Sequence, residues 1–272
     1  MSFALLLAAA AAPLAGLANP APPVDYARMI DDAIDGNRIL QAETMLTQWR
    51  STSEPGARPV EIATARLALA KGDAQEAETR FAAISNAGSD DCRVDEGLGI
   101  ARLRLGRPGQ SLTPLSRAVD SCPGRWRAWS AIAVAYDEAQ SWSLSAAAYE
   151  RAFQLTDRPA QVLNNYGMSL IAQGKADQAM AIFDNARKIA PDDARIIANA
   201  DAAYVMAGQG ISRRPADDAD SWAKRLTNAG QVALRIGNAV KARAYLSQAM
   251  TQSEQFMPEA AAALATIGPE KP

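Results

Sequence analysis

The chain has 272 residues, of which 49% are hydrophobic and 21% are charged, so it can bury a core and form one or two domains. Its formal net charge is -2 and its pI is about 5.4, which leaves no basic surplus to neutralise a nucleic-acid backbone. Histidine is absent and cysteine occurs twice, so the usual general base near neutral pH and the usual zinc ligands are missing. We therefore expect a protein that is not an enzyme and that uses neither a metal ion nor a cofactor.

Residues 1–18 form an uncharged apolar segment that predicts an export signal. The small residues Gly16 and Ala18 suit cleavage before Asn19, which would place the mature protein in the periplasm, free or peripheral to the outer membrane. An uncleaved membrane anchor is the alternative. Pro13 interrupts the segment, however, and the segment is shorter than the roughly 20 apolar residues that span a bilayer. We expect no stable membrane span after cleavage.

Similar residues recur every 34 positions through the centre of the chain. Each 34-residue unit predicts two amphipathic helices that meet at a glycine turn and bury their apolar faces only when neighbouring units stack. The period is seen in large apolar residues (Phe81, Leu115, Tyr149, Phe183), in turn glycines (Gly72, Gly106, Gly174, Gly208) with Gln140 as the exception, and in small residues (Ala65, Gly99, Ala133, Gly167).

The period divides the predicted solenoid, residues 19–208, into units near 23–57, 58–91, 92–125, 126–159 and 160–193 and a partial unit at 194–208. The first unit is one residue longer than the others and ends in a predicted loop from Ser51 to Pro59. Residues 209–220 contain Pro215 and charged side chains where a second helix is due, which predicts a loop or hinge. Residues 221–272 predict a further helical pair and an alanine-rich capping helix that begins at Pro258.

The segment from Ala160 to Asp193 carries the pattern most fully. Its leucine, small residue, tyrosine and glycine turn, followed by alanine, aromatic, alanine and proline, resemble the tetratricopeptide repeat family. The preceding unit adds Trp129 and Tyr136 at the family's tryptophan and tyrosine positions. The resemblance implies an all-α fold, a right-handed superhelical solenoid of helical hairpins with a concave inner face, and the binding of other proteins.

In that family the first helix of each unit lines the concave face, so the resemblance implies a partner-binding groove. One row of inner residues is mainly basic, the next is polar and the third is mainly apolar, which suits an extended or helical peptide segment. The predicted groove residues are Arg66, Arg93, Glu96, Ile100, Arg127, Val134, Asn164, Asn165, Met168, Arg195 and Asn199. Alternatively, the arginines lie over apolar neighbours or pair with Glu96, Asp137 and Glu138.

Cys92 and Cys122 flank the two helices of one unit, so an antiparallel hairpin brings them to the same end. We expect a disulfide there, which would add about 3–4 kcal/mol to stability in an oxidising compartment. Two separate reduced thiols are the alternative. The acidic pairs Asp31–Asp32 and Asp217–Asp218 lack the spacing of a calcium loop, so we expect them to be solvated helix ends and expect no metal site.

These features together predict a periplasmic protein-interaction scaffold or assembly adaptor. The export signal, short array and acidic alanine-rich character resemble the repeat subunit of tight-adherence (Flp-type) pilus assembly and secretion systems, although the cysteine of a lipoprotein signal is missing. An accessory protein of envelope polysaccharide export is an alternative, with Trp126, Trp142 and Trp222 as candidate sugar-contacting residues. A hydrolase built on a helical solenoid is a third, and it would need a pair of acids.

Overall fold

The computed structural model describes residues 24–267 of the chain, and these residues form fourteen α-helices and no strand. The predicted export signal, residues 1–18, lies outside the described residues. No helix within residues 24–267 is long and apolar enough to cross a membrane. The helices are α1 (Tyr26–Asp35), α2 (Ile39–Thr52), α3 (Arg58–Lys71), α4 (Ala74–Asn86), α5 (Cys92–Arg104), α6 (Pro108–Ser121), α7 (Trp126–Glu138), α8 (Trp142–Leu155), α9 (Pro159–Ala172), α10 (Ala176–Ile189), α11 (Ala194–Met206), α12 (Ala219–Arg235), α13 (Ala239–Gln252) and α14 (Pro258–Ile267).

Consecutive helices pack as hairpins, and each hairpin packs against the next. The first helices of neighbouring units also contact one another, as α5 does with α7 and α7 with α9. Stacking in one direction along the chain produces a right-handed superhelix with the first helices on its inner side. The predicted all-α solenoid is therefore confirmed.

The 34-residue period reflects a packing contact that recurs along the array. Leu115 and Phe183 on the second helices are fully buried. A Cβ atom on Gly167 would lie 2.6 Å from the ring of Phe183, and one on the equivalent Gly99 would overlap the side chain of Leu115. A large buried side chain on the second helix thus packs against a small residue on the first helix of the same unit, because protein interiors leave little free space.

The turn between the two helices of a unit requires a left-handed backbone. Gly72 ends α3 at a φ of 92°. Gln140, which breaks the predicted glycine series, still adopts a φ of 53° at the equivalent position. The turn geometry is therefore kept even where the residue type that best tolerates it is missing.

Both ends of the array depart from the regular unit. The loop after α2 covers residues 53–57 and is shorter than predicted, because Ser51 continues α2 and Pro59 lies in the first turn of α3. Helix α11 is followed by a non-helical segment, residues 207–218, where a second helix is due. Helix α14 packs against α12 and α13 and buries Ala260, so it caps the array as predicted.

A buried ionic cluster fixes the segment 207–218. The Arg225 guanidinium donates to both carboxylate oxygens of Asp201, at 2.7 and 2.8 Å, and also pairs with Asp217. The backbone N–H of Arg214 donates to Asp217 at 2.8 Å. Asp217 is therefore not the solvated helix end that its sequence predicts, since its charge is buried and offset by Arg225. The cluster ties the segment to α11 and α12.

The two cysteines close the hairpin formed by α5 and α6. Cys92 is the first residue of α5 and Cys122 directly follows α6, and the two form a disulfide with their Cα atoms 6.2 Å apart. The link therefore joins the two outer ends of one repeat unit.

Candidate functional site

The first helices of successive units line one concave groove. It contains two adjoining hollows of about 750 Å³ and 380 Å³, which together extend from α1 to α11. The residues common to both hollows are Ile100, Arg104, Arg127, Gln161, Asp193 and Arg195.

Most of the groove residues predicted from sequence line these hollows. Met168 and Asn199 do not: Met168 is exposed further along α9, and Asn199 contacts the groove residue Asn164. The predicted residues that line the groove are Arg66, Arg93, Glu96, Ile100, Arg127, Val134, Asn164, Asn165 and Arg195.

The floor of the groove contains a buried carboxylate. Glu96 is 4% exposed, and Arg125 donates to both of its oxygens at 2.8 and 2.6 Å. The burial of Arg125 by itself would lower its pKa, but the hydrogen bond to Glu96 and the negative charge of that carboxylate together outweigh this effect and raise the pKa. Glu96 therefore holds α5 to the start of α7, and its oxygens are already occupied by an internal partner.

The groove arginines pair with aspartates of the same chain. Arg93 lies 2.6 Å from Asp91 and Arg195 lies 3.4 Å from Asp193. Both aspartates are N-caps, of α5 and α11, and each accepts a backbone N–H from the arginine that it pairs with. The cap and the ion pair thus orient each arginine at the mouth of the groove.

These contacts shift the pKa values of the pairs. Burial by itself would raise the pKa of Asp91, but hydrogen bonds from the side chain and backbone of Arg93 outweigh it and hold that pKa below its ordinary value. The side-chain hydrogen bond to Asp91 in turn raises the pKa of Arg93. Both groups therefore stay charged across the physiological range.

The groove arginines do form ion pairs within the chain, but Glu96 and Asp137, two of the partners that sequence offered as an alternative, bind other residues. Glu96 pairs with Arg125, and Asp137 accepts hydroxyl hydrogen bonds from Tyr149 at 2.8 Å and from Ser169 at 2.6 Å. Burial and the Asp137 carboxylate raise the pKa of Tyr149 well above its ordinary value. Asp137 thus joins α7 to α8 and α9. The groove arginines pair instead with the N-cap aspartates of α5 and α11 and with Asp35 on α1.

Asparagine side chains connect neighbouring units along the groove. Asn199 donates to the amide oxygen of Asn164 at 2.8 Å, and Asn165 donates to Ser130 at 3.2 Å. A primary amide has two N–H donors and one oxygen acceptor, so one internal bond leaves part of its capacity for a ligand. The amides can therefore stiffen the array and still bind a peptide backbone.

The N-terminal hairpin closes across the groove through a set of contacts that we call the Asp35 clasp. The Asp35 carboxylate lies 2.5 Å from Arg127 and 3.6 Å from Arg158, and the Asp35 backbone carbonyl accepts from Arg158 at 2.7 Å. Among the described helices, α1 packs only against α2 and α3, so the clasp depends on side chains. Asp31, one turn earlier, pairs with Arg66 and is likewise not the solvated helix end expected.

Sequence reasoning missed two kinds of groove residue. Arg104 follows the predicted residue Ile100 by one helical turn, so extending the inner-facing row would have found it. Asp35 belongs to the first unit but to none of the inner-facing rows, and it enters the groove because the superhelix brings α1 back toward α9. Trp126 also lines the groove, where its ring packs 4.6 Å from the Arg127 guanidinium carbon.

Comparison with known families identifies the repeat. The tetratricopeptide repeat family matches residues 62–125, 96–155 and 130–194. The chain is a tetratricopeptide repeat protein. In the structure, tetratricopeptide-type hairpins continue on both sides of the matched residues, from α1 to α13. No curated protein sequence matches the chain.

Solved structures with tetratricopeptide repeats share the fold at low identity. A tetratricopeptide repeat protein from Parabacteroides merdae superposes with a TM-score of 0.52 at 13% identity, over 89% of this chain and 97% of that one. PilW, a widely conserved type IV pilus biogenesis factor, gives 0.54 at 15% identity over 89% and 96%. A chain of the APC/C hetero-tetramer Cut9–Hcn1 gives 0.64 at 14% identity and covers 92% of this chain but only 50% of its own length. At these identities the likeness shows the fold alone.

Proposed function

We propose that this tetratricopeptide repeat protein is a non-catalytic scaffold or assembly adaptor that binds a segment of a partner protein in its concave groove. The observation that carries the proposal is the combination of groove side chains: oriented arginines, amides with remaining hydrogen-bonding capacity and half-buried apolar residues such as Ile100 and Val134. An extended peptide offers complementary backbone amides and alternating side chains, and a helical peptide offers one face of side chains.

We further propose that the protein acts in the periplasm, in pilus assembly or secretion. The apolar segment 1–18 supports export. The disulfide between Cys92 and Cys122 suits an oxidising compartment. The shared fold of PilW, a pilus biogenesis factor, supports a place in pilus assembly.

The alternative role in carbohydrate handling has weaker support. Trp222 is only 5% exposed, so it does not offer the sugar platform that its sequence position suggested. One face of Trp126 is covered by Arg127. A protein segment therefore remains the ligand that the groove fits best.

The proposal is tested by photo-crosslinking in the native host. A photoreactive amino acid at Gln161 or Arg195 places the probe in the groove, whereas the same residue at Leu144 or Val240 places it on exposed surface of the second helices. We expect the two groove positions to capture the same envelope protein, to be identified by mass spectrometry. Crosslinks that form only from Leu144 or Val240 would contradict binding in the groove.

A further inference from the structure

One arginine in the groove differs from the others because its charge is not offset. Arg104, the last residue of α5, donates to the backbone carbonyl of Leu69 and, among residues 24–267, has no carboxylate partner. The other groove arginines each pair with an aspartate, as Arg93 does with Asp91. The groove walls partly desolvate Arg104 and lower its pKa, but an arginine stays protonated in proteins.

Arg104 lies where a bound segment would be held most closely. It is one of the residues shared by the two hollows, and its side chain is exposed to the groove. Ile100 precedes it by one turn on α5 and Leu103 adjoins it, so both add apolar surface to the hollow that Arg104 lines. Gln161, which lines both hollows, can bind a peptide backbone.

The uncompensated charge of the groove is positive, although the chain is slightly acidic, with a formal net charge of -2. Five arginines line the two hollows, and four of them, Arg66, Arg93, Arg127 and Arg195, pair with aspartates, so the remaining positive charge lies at Arg104. A ligand that is negatively charged at one point therefore gains in electrostatic energy on entering. A polyphosphate chain such as nucleic acid fits less well, since binding it requires several uncompensated cations along the groove.

We propose that Arg104 anchors an aspartate or glutamate side chain of the partner, with a large apolar residue of the partner beside it on Ile100 and Leu103. This assignment rests on the proposed function, because it names the partner chemistry for the same groove. The guanidinium can offer two parallel N–H donors to a carboxylate, which fixes the register of the bound segment as well as its charge.

The test is a selection from a random peptide library displayed on phage, with the peptides fused through their C-termini so that no free terminal carboxylate is offered. The mature protein is compared with Arg104→Gln and with the matched control Arg235→Gln. Arg235 is also an exposed last residue of a first helix, but it lines neither hollow. Unchanged helical content and thermal unfolding are verified for each variant.

We expect peptides enriched on wild type to share an acidic residue next to a large apolar one. A selected peptide should bind Arg104→Gln about tenfold more weakly, since hydrogen bonds to charged groups are the stronger class. Replacing the peptide's acid by its amide should then cause no further loss with this variant, and Arg235→Gln should behave as wild type. Enriched peptides without an acidic residue, or equal binding to Arg104→Gln, would overturn the role of Arg104 and leave the groove as a peptide site. No enrichment on wild type would instead contradict the proposed function.

Discussion

Arg158 donates a hydrogen bond of 2.7 Å to the backbone carbonyl of Asp35, although 123 positions separate the two residues. The superhelix thus curls far enough for the turn after α1 to meet the start of α9. Asp35 ends α1, where the helix dipole favours nearby cations such as Arg127 and Arg158. The N-terminal hairpin is therefore held across the groove by charge rather than by helix packing.

Asp35→Asn should loosen the N-terminal hairpin without unfolding the array. The ion pairs are partly exposed, so we expect a loss of under about 1 kcal/mol. Hydrogen exchange should accelerate in α1 and α2, and raising the ionic strength should have the same effect on wild type. Asp32→Asn is the control, because Asp32 is exposed on the same helix and lies 3.9 Å from Arg28. Equal exchange in the two variants would exclude the clasp.

Arg225→Met should strongly destabilise the C-terminal part of the array. Removing the guanidinium leaves the buried Asp201 carboxylate without its cation and Asp217 with only Arg214, whose guanidinium lies 4.0 Å away, a change that costs about 3–5 kcal/mol. Arg235→Met, on the exposed end of the same helix, should stay within about 0.5 kcal/mol of wild type. Urea unfolding followed by circular dichroism measures both. Adding Asp201→Asn and Asp217→Asn to Arg225→Met should recover part of the loss.

Gly167→Ala should destabilise the protein because the added methyl group meets the buried ring of Phe183. Overpacking of this kind costs about 1–3 kcal/mol. Gly109 offers a matched comparison, since it also lies in a helix but has open space around the added Cβ position. Gly109→Ala should therefore be neutral or slightly stabilising, and thermal unfolding of the two variants should differ in sign or size accordingly.

Thiol titration of protein purified without reductant should find no free cysteine, because Cys92 and Cys122 form a disulfide. The double variant Cys92→Ser, Cys122→Ser should lose about 3 kcal/mol of the free energy of unfolding. Wild type unfolded in the presence of a reductant should show a similar loss. A double variant as stable as wild type would show that the repeat packing alone holds this hairpin.

Asp193→Ala should lower stability by about 1 kcal/mol at neutral pH, because Asp193 caps α11. Burial by itself would raise the pKa of Asp193, but hydrogen bonds from Ile196 and Arg195 outweigh it and hold that pKa below its ordinary value of 3.8. Because its pKa is lower in the folded state, the Asp193 carboxylate contributes to the free energy of unfolding above pH 3.8. This contribution is lost as the pH falls through the pKa of the folded state. Unfolding of wild type and variant across acidic pH measures this, and Asp193→Asn, which keeps a capping oxygen, should show little of the pH dependence.

The repeat architecture could be predicted from sequence because its contacts are local and periodic. Phe183 packs against Gly167 within one unit, and the equivalent pair of Leu115 and Gly99 lies two units earlier, so the pattern is visible without coordinates. The inner-facing rows, one with Arg93 and the next with Asn164, followed from the same periodicity and from the resemblance to the tetratricopeptide repeat family. The turn at Gln140 also kept its predicted place.

What the periodicity could not reveal is which charges meet. Arg127 reaches Asp35 because small rotations between units accumulate along the superhelix, and Arg225 reaches Asp217 because a non-helical segment folds over the place of a missing helix. Arg104 has no carboxylate partner among the described residues, and the spacing of the repeat does not reveal that either. Residue type and spacing therefore determined the helices, their turns and the inner face of the array. The curvature of the whole chain decided which ionic groups are satisfied internally, because those pairs form between residues that are distant in sequence and adjacent only after every unit has stacked.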